Sequence, residues 1–146
     1  MNAVVALIWL HVVGNVFWVG AICGVAVLLA SSLGDARARG ALAERLYLWV
    51  AVPGFVLSFG AGMFRVLLDP WYLQMPWMHA KLALAFVIIG VHHVLGARAR
   101  RLARAEATTS VSPGVRGAAP LGVTIALCAA AAVFFAITKL PAPSTP

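Results

Sequence analysis

Seven polar side chains stand out inside four apolar runs: His11, Asn15, Arg65, His79, Lys81, His92 and His93. An ionisable group at bilayer depth costs about 2.5–3.5 kcal/mol on insertion scales and more by simulation, so each is a candidate site. At a rise of about 1.5 Å per residue, His11 falls about 10 Å and His79 about 12 Å from the midplane, on the same side. Read as an antiparallel pair, the first and third runs bring these two imidazoles to one level. Arg65 and Lys81 join that level, which predicts a cationic, histidine-bearing pocket in the outer half of a bundle.

Helical phase divides the candidates. At about 100° per residue, His79, Phe86, Gly90 and His93 share one face, and Lys81, Ala85, Ile88 and His92 share a nearly opposite one. In the first run His11, Asn15 and Trp18 form a stripe, and Gly14 and Gly20 allow a neighbour to approach closely. Two histidines on separate helices, with no acid nearby, suit a haem iron, because imidazole is a common axial ligand and four-helix bundles hold porphyrins. Arg65 and Lys81 would pair with the propionates. Two other readings fit the same residues. His11 can simply hydrogen-bond across helices while His79 sits in the wet interface. Copper is the third reading, although Met63, Met75 and Met78 form no methionine box. His92 and His93 could ligate a second haem. The simpler expectation is that they lie at headgroup level and snorkel.

These residues need a scaffold, and composition names it. Of 146 residues, 63% are hydrophobic and 10% charged, against about 25% charged in soluble domains. The expected fold is an all-α membrane protein: one transmembrane domain over residues 1–146, built as a four-transmembrane-helix antiparallel bundle. The spans are placed at residues 3–33, 46–68, 77–95 and 120–137, with short connections that favour up-down-up-down order. The first run is too long for a signal-peptide core and has no basic start, so it reads as a retained helix. Pro70 and Pro76 bracket an aromatic connector suited to the headgroup level. The tail 139–146 is Pro-rich and reads as frayed.

Charge sets the orientation. The net charge is +7, and the first and third loops with Arg45 hold eight of the eleven basic residues. The positive-inside rule puts those loops in the cytoplasm and both termini outside, in the periplasm of a bacterial inner membrane. The basic stretch Arg98–Arg104 reads as lipid-bound, and nothing in its spacing suggests nucleic acid. Cys23 and Cys128 lie in apolar runs without a CxxC pattern and read as core filler.

The residues also resemble a family. Leu10-His11-Val12-Val13, with Trp18 seven residues after the histidine, resembles the first helix of HemJ proteins, the membrane-bound protoporphyrinogen IX oxidases of bacteria. Arg45-Leu46, continuing through Pro53-Gly54 to Gly60 and Gly62, is similar to their second helix. Trp77-Met78-His79-Ala80-Lys81-Leu82, followed by His92-His93 and a basic stretch, resembles the third. A broader likeness is to the CopD-type copper-resistance membrane fold. The HemJ resemblance implies haem b held between helices, with His11 as one axial ligand and His79 as the second. It implies oxidation of a porphyrinogen with electrons passed to quinone or a respiratory chain, and places Trp77 and Lys81 beside the porphyrin as catalytic candidates. A homo-oligomer is compatible with it. This chain departs where the family has a Pro-Arg pair, carrying Ala26 and Val27 there. It also has no acidic residue ahead of the fourth helix, and it carries Arg65 as an extra charge.

Overall fold

The computed structural model describes residues 2–104 and 117–139. Among these residues the chain is helical, and four helices are long and apolar enough to cross a membrane. The first, α1 (Ala3–Ala30), starts at Asn2, whose side chain accepts from Val4 N at 3.1 Å. It stops at Ala30, short of the expected Leu33, because Ser31 is extended and Gly34 turns the chain at φ 65°.

The second span is one continuous helix, Ala36–Leu68, in three parts: α2 (Ala36–Leu46), a π-helical stretch Tyr47–Ala51 and α3 (Val52–Leu68). It begins ten residues before the expected start at Leu46. Asp35 caps it, accepting from Ala38 N at 2.7 Å, and so satisfies an orphan N–H that the polar loop would otherwise leave to water. A 3-10 turn, Pro70–Gln74, leads into α4 (Pro76–Arg104). That helix runs past the expected end at Leu95 through the arginine stretch, since Ala, Arg and Leu are good helix formers and no proline intervenes. The last span is α5 (Ala118–Thr138). Expectations for the loop 105–116, including Arg116, and for the tail 140–146 fall outside the described residues.

Sequential spans run antiparallel. Gly14 faces Gly54 and Ser58 while His11 faces Gly62, so α3 descends as α1 rises. Gly40 faces Ala103 and Tyr47 faces Gly96, pairing α2 against the far end of α4. Ala26 meets Gly122, setting α5 against α1. The first and third spans therefore run parallel, which corrects the antiparallel reading of that pair: His11 meets Lys81, and Trp18 meets His92 farther along both helices. The tightest contact is between α1 and α3. A Cβ on Gly14 would stand 2.5 Å from Ser58 N, and one on Gly54 2.7 Å from Trp18 N. Small residues let backbones approach this closely where lipid supplies no hydrophobic drive between helices.

The two halves of the bundle pack differently. In the half that carries the arginines, the basic end, α2 packs broadly on α4. In the connector half, α3 and α4 scarcely touch. The π stretch and Pro53 stand where the second and third spans part. Both interrupt the regular i→i−4 ladder, the usual cause of a bend.

Candidate functional site

Two polar centres lie in the interior, one in each half. In the connector half His11 is the hub. Its Nδ1 lies 2.8 Å from the Ser58 carbonyl oxygen. A carbonyl only accepts, so Nδ1 carries the proton and Nε2 keeps its lone pair. That lone pair faces Asn15 Nδ2 at 3.1 Å and Lys81 Nζ at 3.5 Å. Ser58 Oγ sits 3.3 Å from Nδ1. Gly62 leaves room for the ring, because a Cβ there would come within 2.9 Å of Nδ1. An N–H tied to a carbonyl is the arrangement that orients metal-binding histidines, but here the other nitrogen is already met by Asn15 and Lys81. Lys81 has no acidic partner among the described residues, an expensive state for an amine inside a span unless something else engages it.

In the basic half His92 is only 1% exposed. Trp18 Nε1 donates to its Nδ1 at 3.2 Å. Tyr47 stacks on it at 4.7 Å and Phe55 at 5.5 Å, and His93 abuts it at 5.1 Å. Arg100 lies over the far ring of this group, 5.6 Å from the Tyr47 centroid. The expectation that His92 snorkels is thus overturned: it is a core residue, and His93 takes the exposed side. Because Nδ1 accepts from an indole, Nε2 carries the proton. His92 is a hydrogen-bond donor here, with no lone pair to offer a metal.

The remaining candidates divide between these centres and the connector. Asn15 and Lys81 join His11, while Trp18 belongs to His92. Arg65 donates to Tyr72 Oη at 2.9 Å, lies 4.5 Å from that ring's centroid and pairs with Asp69 at 3.6 Å. Trp77 is buried with its ring edge on Tyr72 at 5.9 Å. Arg65 and Trp77 therefore form a cap over the connector end. His79 is exposed, on the face it shares with Phe86, Gly90 and His93. The structure brings Lys81, and not His79, to His11: the height along the bundle agrees, but the face of α4 is the opposite one.

No family model, curated protein or solved structure matches the chain. The site must be read from its own atoms. Among the described residues no three His, Cys, Asp or Glu side chains converge. A pair of nitrogens does. Two nitrogen ligands on opposite sides of one metal stand about 4 Å apart, twice a bond of about 2.0–2.1 Å. His11 Nε2 and Lys81 Nζ are 3.5 Å apart, next to the seam where α3 and α4 diverge. At 3.5 Å the two are within hydrogen-bond reach of each other, so a metal held by both would need them to part as well as Asn15 to yield Nε2.

Ser58, Gly62, Tyr47 and Phe55 were not among the expected site residues. The first two carried a signal: Gly54, Ser58 and Gly62 recur every four residues, a small-residue face that invites close contact. Tyr47 and Phe55 carried none, since aromatic residues occur on every span.

Proposed function

We propose that this chain binds haem b in the connector half of the bundle, between His11 and Lys81, and works as a membrane oxidoreductase. The observation that carries the reading is the pair of nitrogens from two parallel spans, 3.5 Å apart, with no carboxylate partner among the described residues. The resemblance to HemJ proteins supplies the reaction: oxidation of protoporphyrinogen IX to protoporphyrin IX in a bacterial inner membrane, with both termini periplasmic. When bound, the haem supplies a one-electron centre from which electrons leave for quinone or a respiratory chain. The chain's own residues hold and aim. The Ser58 carbonyl fixes the His11 tautomer and Gly62 makes space for its ring. Arg65, now shared between Tyr72 and Asp69, is the cation this reading assigns to a propionate. Trp77 stands beside it, its ring edge on Tyr72.

A reduced-minus-oxidised spectrum of detergent-purified protein tests this. A Soret band is expected, lost in His11→Ala and in Lys81→Ala and kept in His79→Ala. Protein made with ample haem that shows no Soret band sinks the reading, and stoichiometric copper in its place favours the CopD-type likeness.

One observation supports a narrower reading, a haem-binding electron-transfer subunit without turnover of its own. Ala26 and Val27 stand where the family has its Pro-Arg pair. Here Ala26 is packed against Gly122, and Val27 is 68% exposed towards lipid. Neither offers a polar or charged group to a substrate. Failure to complement a porphyrin-oxidation defect with haem still bound selects this second reading.

A further inference from the structure

A groove of about 560 Å³ runs between α1 and α5 at the basic end, and it is independent of the haem reading. Its walls are small and almost wholly apolar, with Cys23, Ala26 and Ser31 on one side and Ala119, Gly122 and Ala126 on the other. From Ser31 to Cys23 it covers about 12 Å of helix at 1.5 Å per residue. Its open side faces the apolar surroundings of the bundle, so an occupant must be apolar along this length.

The mouth is different. Two and three residues beyond Ser31 the chain reaches Leu33 and Gly34, whose carbonyls accept from Arg39 Nη1 at 2.6 and 2.7 Å. Two residues before Ala119 stands Gly117, where a Cβ would lie 3.0 Å from Arg98 Nη1. One guanidinium group thus lies beside the chain leaving α1 and another beside the chain entering α5, the two segments that continue the groove's walls. Each has a buried nitrogen without a hydrogen-bond partner, Arg39 Nε and Arg98 Nη1. No described carboxylate pairs with either. The first turn of α5 has no side-chain cap, so its N–H groups add to the positive field. Buried N–H groups on a cation are costly to leave unpaired.

We infer that this groove seats an anionic phospholipid of the adjacent leaflet, one acyl chain lying between α1 and α5 and its phosphate held between Arg39 and Arg98. Charge complementarity selects this occupant. A second copy of the chain would bring the same arginines with it, and a zwitterionic lipid would bring its own cation to the mouth.

Native mass spectrometry of the full chain in detergent tests the seat, with phosphatidylglycerol and phosphatidylcholine of matched chains as probes. Phosphatidylglycerol should be retained in preference. Each arginine near a charged lipid surface is worth about fivefold, so Arg98→Ala should weaken phosphatidylglycerol binding by about that factor and leave phosphatidylcholine unchanged. Arg98→Ala is the decisive variant, because Arg39 also braces the Leu33–Gly34 turn. Ala126→Trp fills the groove without touching the cations and should lower retention of both lipids. Arg101→Ala, an exposed arginine on the same helix, should change nothing. Equal retention of the two lipids, or an equal loss in Arg101→Ala and Arg98→Ala, overturns the inference. So does a dimer, abolished by Ala126→Trp, in place of lipid adducts.

Discussion

In the connector half the His11 lone pair meets two flexible polar side chains, Asn15 and Lys81, whereas in the basic half His92 has its lone pair engaged by Trp18 and its ring clamped by Tyr47 and Phe55. Both are histidines on apolar helices, His92 buried and His11 half-buried, and their sequence neighbourhoods do not set them apart. The partner on the far nitrogen does. A carbonyl on Nδ1 leaves a ligand site on Nε2, while an indole N–H on Nδ1 leaves only a donor. The packing around each agrees with that division. Where α2 meets α4 the helices close over His92, and beside His11 α3 and α4 scarcely touch. A lone pair met only by flexible side chains can be released to a ligand; a ring sealed among rings serves to fix the helices.

The largest effect that would break the comparison comes from closing the connector half at its hinge. Gly14→Val would drive a side chain into the Ser58 backbone, where no rotamer can give way, and α1 would have to leave α3. Loss of the helix pair should exceed about 4 kcal/mol, read as failure to remain monodisperse in mild detergent. Gly20→Ala, with nothing within 4 Å of its Cβ, is the control and should behave as the parent chain. If both variants behave alike, the α1–α3 contact does not position His11 as described.

Next in size is His92→Phe. The phenyl ring keeps the stacking on Tyr47 and Phe55 but strands the Trp18 N–H in the core, at a cost of about 1–3 kcal/mol. Thermal unfolding in detergent should shift down accordingly, while the haem spectrum assigned to His11 and Lys81 stays. A spectrum lost in His92→Phe would move the cofactor into the basic half and reverse the roles of the two centres.

The number of membrane-length helices and their order were legible in the sequence, because apolar length reports directly on a bilayer; the surroundings of His92 were not. Nor was the inward face of α4. In water, burial is hydrophobic and the polar face shows itself. In lipid the tails are as apolar as leucine, so an outward face of Phe86 and Gly90 and an inward face of Ala85 and Ile88 carry the same signature. Each face also bears a basic residue near each end: His79 and His93 on one, with Lys81 and His92 opposite. Helix-to-helix geometry alone chooses Lys81 and His92. The helix ends were missed for a related reason. Asp35 and the arginines of α2 and α4 were read as loop because they are charged, yet a helix that has left the bilayer needs no apolar residues to continue.

A smaller effect sharpens the account of His11. Asn15 Nδ2 occupies the same lone pair that a ligand would need. Asn15→Ala removes that competitor and leaves the Ser58 contact and the Lys81 approach in place. Haem affinity should then hold or rise by a few-fold, the size of a net hydrogen bond of about 0.5–1.5 kcal/mol. A spectral titration of apo-protein with haem reads this directly. A large loss of affinity would instead make Asn15 a positioning residue for the imidazole, with Nε2 aimed elsewhere.

The smallest effect lies at the basic end. Arg100 sits over the Tyr47 ring, 5.6 Å from its centroid, on the surface side of the sealed centre. A cation over an aromatic face is worth about 0.5–1 kcal/mol at an exposed site. Arg100→Gln keeps a long polar side chain and removes the charge, so unfolding should shift by no more than that amount and the haem spectrum should not move. Tyr47→Leu should cost more, because it also takes the stacking partner from His92 and opens space opposite Gly96. If Arg100→Gln proves the more damaging of the two, the centre depends on charge at its rim, and the rings do not supply its rigidity.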